Sequence, residues 1–590
     1  MPSPSTNPVE SKRVTWLDRI RQSESQLELV LSLVIGALVG LVVVAFIVLT
    51  GRLAARMYPA GGAGWRRILV PTLGSVLTGY LLSRYFPNAR GSGIPQTKFA
   101  LFIEDGRILF RTVFGKFFCC AISLASGIAL GREGPSVQVG AGLASVIARR
   151  LGLSREQVKM IVPVGCSAAL AAAFNTPIAA VLFSLEEIVG DLHAPVLGSV
   201  VLSSATAWMV LHLVLGDDPL FHVPGYHLVH PLEFAVYAVL GVIGGLGSVC
   251  FVKLLLGLRE RFKRLPQSTL WFQPVVGGLS IGIMGFFVPE VMGIGYNYVD
   301  RVLNGDMVLK TVVILAVLKI FGTAICYSSG NAGGIFGPSL FIGAMLGGAV
   351  GSAAHLLFPG YVAEPGAYAL VGMGTAFAGI VRTPLTSVIM IFELTRDYSI
   401  IVPLMISNLI AFFISYKLQK EPVYEALAHQ DGVHLPAGVS RSQLGRIQVG
   451  QAMEQPPVVL QPQMEVAEAA PIARRYQLDA SPVADEEGLW GMIPKWELES
   501  AIAQGAGNKR LAELLGGKFP KHLHNASEFP HVHPDHSVAL AMERMGATGY
   551  NVLPVVSRAN VRQLLGIVTL EDILEAYGVS RLPGGSRPDS

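Results

Sequence analysis

Long apolar runs fill the middle of this chain and polar sequence flanks them. The runs fall at about 27–50, 68–84, 109–130, 157–190, 194–215, 231–257, 271–288, 308–327, 337–358, 367–395 and 399–417. Many contain Gly or Pro, and several are too short to cross ~30 Å of hydrocarbon without a break. Interrupted helices are tolerated at membrane depth only inside the protein or beside a water-filled path, and such half-helices form the binding sites of transporters. From about residue 446 the pattern changes to short strands alternating with amphipathic helices. The expectation is an α-helical multi-span membrane domain followed by an α/β tail.

Both parts repeat internally. Gly134-Pro135-Ser136 with Gly140-Ala141 returns 203 residues later as Gly337-Pro338-Ser339 with Gly343-Ala344. Val164-Gly165, Thr176-Pro177 and Glu186 return 207 residues later as Val371-Gly372, Thr383-Pro384 and Glu393. Blocks in one order at nearly one spacing predict a duplicated half-domain, with halves at about 26–215 and 231–430. Inverted halves are common in transporters. In the tail, Pro462, Val466 and Pro482-Val483 return 72 residues later as Pro534, Val538 and Pro554-Val555, and Gly491-Met-Ile as Gly566-Ile-Val at 75.

Composition sharpens this. Only 15% of the 590 residues are charged and 51% are hydrophobic, with a mean hydropathy of +0.51, against about 25% charged in soluble chains. A net charge of +4 gives no reason to expect a nucleic-acid partner. Lys12, Arg13, Arg19 and Arg21 precede the first run without a short apolar core and cleavage site, so no cleaved leader and a cytoplasmic N-terminus are expected. Cys119, Cys120, Cys166, Cys250 and Cys326 lie in apolar sequence without metal-ligand spacing and read as packing. His522, His524, His531, His533 and His536 match no standard zinc spacing and read as polar surface.

Three strings interrupt apolar sequence: Gly91-Ser-Gly-Ile-Pro-Gln96, Gly131-Arg-Glu-Gly-Pro-Ser136 and Gly333-Gly-Ile-Phe-Gly-Pro-Ser339. Pro is favoured in the first turn of a helix, and Gly lets backbone approach a ligand closely. Each string predicts a helix start whose free N–H groups and positive dipole end face an anion.

In this order, and with Pro422-Val423-Tyr424 after the last run, the strings resemble the signature of the CLC family of chloride channels and chloride/proton antiporters. The tail, ending Gly566-Ile-Val-Thr-Leu-Glu-Asp-Ile573, resembles a pair of CBS domains. The resemblance implies chloride and protons as transported ions, a lipid bilayer and a homodimer. It gives the Ser92 hydroxyl, the Tyr424 phenol and the N–H groups of Ile335 and Phe336 to a chloride ion. Glu133 resembles the gating glutamate that competes with chloride and carries the proton. Glu187 resembles the internal proton-transfer glutamate, a position typically apolar in channels, and tips the reading toward antiport; Glu186 and Glu393 look structural.

Thr569 and Asp572 stand at positions that commonly contact phosphate and ribose in nucleotide-binding CBS pairs, so an adenine nucleotide is the expected tail ligand and no cofactor is otherwise required. Pro494 and Glu497 replace them in the first repeat, and Gln96 stands where many relatives have Glu. The expected layout is a cytoplasmic segment 1–25, a transmembrane domain 26–430, a linker 431–445, CBS repeats 446–515 and 516–580, and a tail 581–590. Both termini would be cytoplasmic, in a bacterial inner or plasma membrane. A passive chloride channel on the same fold is the alternative, and a CBS-bearing divalent-cation transporter a distant one. Catalytic and metal residues are not expected, and the absence of His-Glu-x-x-His argues against a metalloprotease.

Overall fold

The computed structural model describes residues 24–58, 62–192, 194–217, 219–226, 228–433, 447–476, 478–515 and 530–576. His522 and His524 and most of the expected linker lie outside these residues. Two compact units divide at residue 436.

In the first unit, the helices of the first half are α1 Glu24–Met57, α2 Gly64–Arg84, α3 Ile94–Phe102, α4 Phe110–Ala125, α5 Glu133–Arg150, α6 Arg155–Phe174, α7 Pro177–Phe183 and α8 Leu197–Leu215. The second half supplies α9 Glu233–Lys263, α10 Gln273–Phe287, α11 Tyr296–Leu303, α12 Leu309–Ser328, α13 Phe336–Leu357, α14 Pro365–Val381, α15 Pro384–Thr395 and α16 Ile401–Leu418, then α17 Val423–Gln430. Each helix from α1 to α8 has its mate eight places on. Among the described residues, seven helical stretches are long and apolar enough to cross a membrane.

The apolar runs 157–190 and 367–395 each break at Thr-Pro. A residue before Pro is pushed out of the helical region, and a left-handed residue ends the preceding helix: Asn175 at φ 61° and Arg382 at φ 67°. Arg382 is an unusual residue for that conformation. Its guanidinium donates to the Ser415 carbonyl at 2.8 Å, which holds it there.

The repeated glycines are where helices cross. A Cβ at Gly140 would fall 2.4 Å from the Gly165 carbonyl oxygen, and one at Gly165 2.3 Å from that of Gly140. In the second half Gly343 and Gly372 face each other in the same way, both at 2.3 Å. No other residue type allows α5 on α6, or α13 on α14, so close.

The halves meet about a pseudo-two-fold axis. Gly131 and Gly334, 203 residues apart, exchange both backbone hydrogen bonds at 2.7 Å as an antiparallel pair. Glu186 accepts from the backbone N–H of Thr386 at 2.8 Å, at the start of α15. Its mate Glu393 accepts from Ile178 and Ala179 at 2.9 and 2.7 Å, at the start of α7. These two carboxylates are helix caps given by each half to the other. Segments that meet across the axis run antiparallel, as expected of inverted halves.

The second unit holds α18 Val449–Ala452, α19 Val466–Arg475, β1 Ala480–Asp485, β2 Gly488–Pro494, α20 Lys495–Ala503, α21 Leu511–Leu514, α22 Val538–Thr548, β3 Val552–Val556, β4 Leu564–Thr569 and α23 Leu570–Ala576. β1 pairs antiparallel with β2 and β3 with β4. Residues 447–454 sit with the second repeat: Val449 and Ala452 pack in a core with Val532, Leu553 and Ile573, and Glu454 bridges to Ile567. Leu478, Ala480, Val552 and Ile567 join the two repeats.

Candidate functional site

All three glycine strings converge. A Cβ on Gly134 would lie 2.7 Å from the Ser92 carbonyl oxygen and 2.8 Å from its Oγ, with the Gly334 Cα at 3.5 Å. Gly91 and Gly93 take φ of 91° and 107°, conformations that side chains rarely adopt, and so carry Ser92 into this junction. Gln96 Oε1 accepts from the Gly93 N–H at 2.8 Å, so the amide closes the first turn of α3 as a carboxylate would.

Four groups here want an acceptor. The hydroxyls of Ser92 and Tyr424 are wholly buried and lack a hydrogen-bond partner among the described residues, although the two side chains approach one another. Buried polar atoms are nearly always paired, so two adjacent orphans are a signal. Ile335 and Phe336 open α13; their N–H groups have no intrahelical acceptor at a helix start and none elsewhere among the described residues. Phe336 is fixed by rings of Phe174 and Phe377 at 4.7 and 4.4 Å.

Glu133, at the start of α5, is fully buried. Its Oε2 accepts from the Gly337 N–H at 3.2 Å, and its Oε1 accepts from the Tyr296 hydroxyl. A carboxylate thus sits on the N-terminus of α13, one residue past Phe336. Gly131 and Gly337 make room for it: a Cβ there would fall 2.3 and 2.9 Å from Oε2. Arg132 does not pair with Glu133; its guanidinium lies 5.8 Å from the Tyr296 ring centre.

Glu186 and Glu187 occupy a π-helical turn, Ser184–Val189, a distortion frequent at functional sites. Adjacent side chains on a helix point to different faces, and the two carboxylates part here. Glu186 caps α15, while Glu187 is buried against Lys98 of α3 at 2.9 Å. Glu425 of α17 stands 3.8 Å from the same ammonium. A cavity of about 300 Å³ opens beside Gly91, Gln96 and Tyr327 and is bordered by Arg90, Arg259 and Lys263.

Sequence reading missed Tyr296, Lys98 and Glu425. The signals were present: a cation within an apolar segment demands a partner, and Gly293-x-Gly295 repeats Gly91-x-Gly93 at an offset of 202. Cys250 is exposed on α9 while the other four cysteines are buried and free.

In the tail, Thr569 and Asp572 bond each other. The Thr569 N–H donates to Asp572 Oδ2 at 2.9 Å, and the Asp572 N–H to Thr569 Oγ1 at 3.1 Å. This reciprocal box caps α23 and leaves Asp572 Oδ1 buried and unpartnered. His531 and His533 are buried rather than surface residues, and with His536 they meet edge to face, ring centres 5.1 and 4.7 Å apart. No group of three metal-ligating side chains forms among the described residues.

A junction of helix N-termini within apolar helices, with neutral donors and a buried carboxylate seated on one of them, defines an anion-handling membrane protein. The chain belongs to the voltage-gated chloride channel family, matched over residues 74–416, with CBS domains at 449–504 and 525–579. A ClcB-like chloride channel protein of Ralstonia nicotianae is 34% identical over 389 residues, 64% of this chain and 89% of the relative. The H(+)/Cl(-) exchange transporter ClcA of Vibrio campbellii is 31% identical over 60% of this chain and 76% of its own. A slow cyanobacterial Cl-/H+ antiporter superposes with TM-score 0.63 at 27% identity, over 68% of this chain and 97% of that one. A eukaryotic CLC transporter shares the fold at TM-score 0.61 and 20% identity, over 93% of this chain and 98% of that one.

Proposed function

We propose that the chain exchanges chloride for protons across a membrane. One observation carries this reading: the Glu133 carboxylate occupies the N-terminus of α13 beside four unfilled donors, as an anion would. Ser92, Tyr424 and the N–H groups of Ile335 and Phe336 hold chloride. Neutral donors suit a weakly basic halide, which a full cation would trap. Protonation of Glu133 removes the charge that holds it on Gly337, and chloride takes the vacated donor. The carboxylate that leaves with a proton returns without one, so one group couples the two ions.

Glu187 gives the proton a route apart from chloride, because an occupied anion site and a proton carrier exclude each other. The cavity beside Gly91 and Tyr327, bordered by Arg90 and by Arg259 and Lys263 paired with Asp431, supplies chloride to Ser92. The functional unit is a homodimer in a bacterial inner or plasma membrane with cytoplasmic termini. The layout is a transmembrane domain 26–430 followed by CBS repeats 446–515 and 516–580. An adenine nucleotide binds the CBS pair near Thr569 and Asp572, where Asp572 Oδ1 accepts from the ligand, and regulates transport; no cofactor takes part in transport itself.

A passive channel is the second reading, and the Lys98 contact favours it, since a buried ion pair accounts for Glu187 without a proton-transfer role. Reconstitution into liposomes separates the two. Chloride efflux recorded together with proton uptake shows uphill proton movement for the exchanger and none for the channel.

A further inference from the structure

The loop that delivers Ser92 has a counterpart in the other half. Lys116 of α4, wholly buried, donates to the carbonyls of Ala89 and Gly91 at 3.1 and 2.5 Å. Its mate Lys319 of α12, equally buried, donates to those of Val291 and Gly293 at 3.1 and 2.6 Å. Each lysine pins a loop with two left-handed glycines, Gly91 and Gly93 in one, Gly293 and Gly295 in the other. The first loop presents a hydroxyl, Ser92, to the junction of helix N-termini. In the second, Ile294 takes the Ser92 position and the hydroxyl comes from Tyr296, the first residue of α11. It reaches the carboxylate that sits as an anion, Glu133 Oε1.

We propose that Tyr296 is a positioning residue that latches Glu133 onto the α13 N-terminus and so sets how readily chloride and protons displace it. The inference rests on the reading of Glu133 as the proton-carrying gate. The two carboxylate oxygens have one donor each, Gly337 from α13 and Tyr296 from α11, so release of Glu133 must break both bonds. The Tyr296 ring is held by Phe221 edge-on at 5.4 Å and by Arg132, and its lysine-pinned loop fixes where the hydroxyl stands. The titratable groups facing Glu133 are Tyr296 from α11, Cys120 from α4 and Tyr424 from α17, with Arg132 beside it.

The hydrogen bond favours the ionised, seated carboxylate over the protonated, released one. Loss of one bond to a charged group shifts that balance by about tenfold or more. Tyr296→Phe keeps the ring and its packing. In liposomes it is expected to raise chloride turnover and to move the pH of half-maximal turnover up by about one unit. In a Glu133→Ala background the same substitution is expected to change neither, since nothing remains to latch. If Glu133→Gln uncouples protons but Tyr296→Phe leaves turnover and its pH midpoint at the wild-type values, the latch is wrong. Equal effects of Tyr296→Phe with and without Glu133 would make the residue merely structural and also overturn it. Normal coupling in Glu133→Gln would instead remove the gate reading, and the latch with it.

Discussion

Ser92 shows how much a single position can hold. Two glycines with positive φ position it, and its buried hydroxyl has no partner among the described residues. Ser92→Pro removes a hydroxyl and an N–H, and each bond to a charged group is worth roughly 1.5–3 kcal/mol. Nitrate, which depends less on any one donor, is expected to gain on chloride, and flux measured in the two anions checks it. Glu187 is set differently, in a salt bridge with Lys98. Glu187→Gln is expected to stop proton transport while chloride still passes. Breaking a buried pair by removing one partner typically costs about 3–5 kcal/mol. Here Glu425, 3.8 Å from Lys98, keeps the cation from being orphaned, so the variant should assemble. Proton uptake driven by chloride in this variant would contradict the role.

Among the elements, the short helices are the informative ones. α7 and α15 each follow a Thr-Pro break and each start on a carboxylate from the other half. Glu186→Ala and Glu393→Ala each remove an N-terminal cap, which costs about 0.5–2 kcal/mol. The pseudo-symmetry makes the expected losses similar, readable as melting in detergent, with proton coupling unchanged in the protein that survives.

The breaks themselves were legible in sequence, because Pro and the residue before it dictate local backbone. Convergence of the three strings was legible too, since Gly-Pro helix starts in apolar sequence have few other uses. What escaped was pairwise and distant. Tyr296 lies in a polar stretch without an apolar run, and its meaning depends on a carboxylate 163 positions away. The π-helical turn that carries Glu186 and Glu187 leaves no mark in composition.

The whole molecule adds a CBS unit to the membrane one, and the tail carries its own pH response. His536 is held below its ordinary pKa by burial, by His533 and by the cations Arg544 and Arg558, against the pull of Asp535. The unfolded histidine therefore binds a proton more readily than the folded one. Stability is intact above about pH 6.5 and falls as the pH drops below it. Protection of the β3 and β4 amides in the full-length protein, taken relative to the intrinsic exchange rate at each pH, is expected to fall between pH 7 and 5, and less so in His536→Asn.

The exchanged caps also bear on how the chain is made. The amides at the start of α7 find their acceptor in Glu393, which lies 215 residues further along. At roughly 5–20 residues per second a ribosome needs about 10–40 s to reach it. Through that interval the α7 amides lack the acceptor they have in the finished fold. Synthesis of the second half ends this wait, so the assembly step that completes the transporter is also the one that satisfies the helix end of its first half.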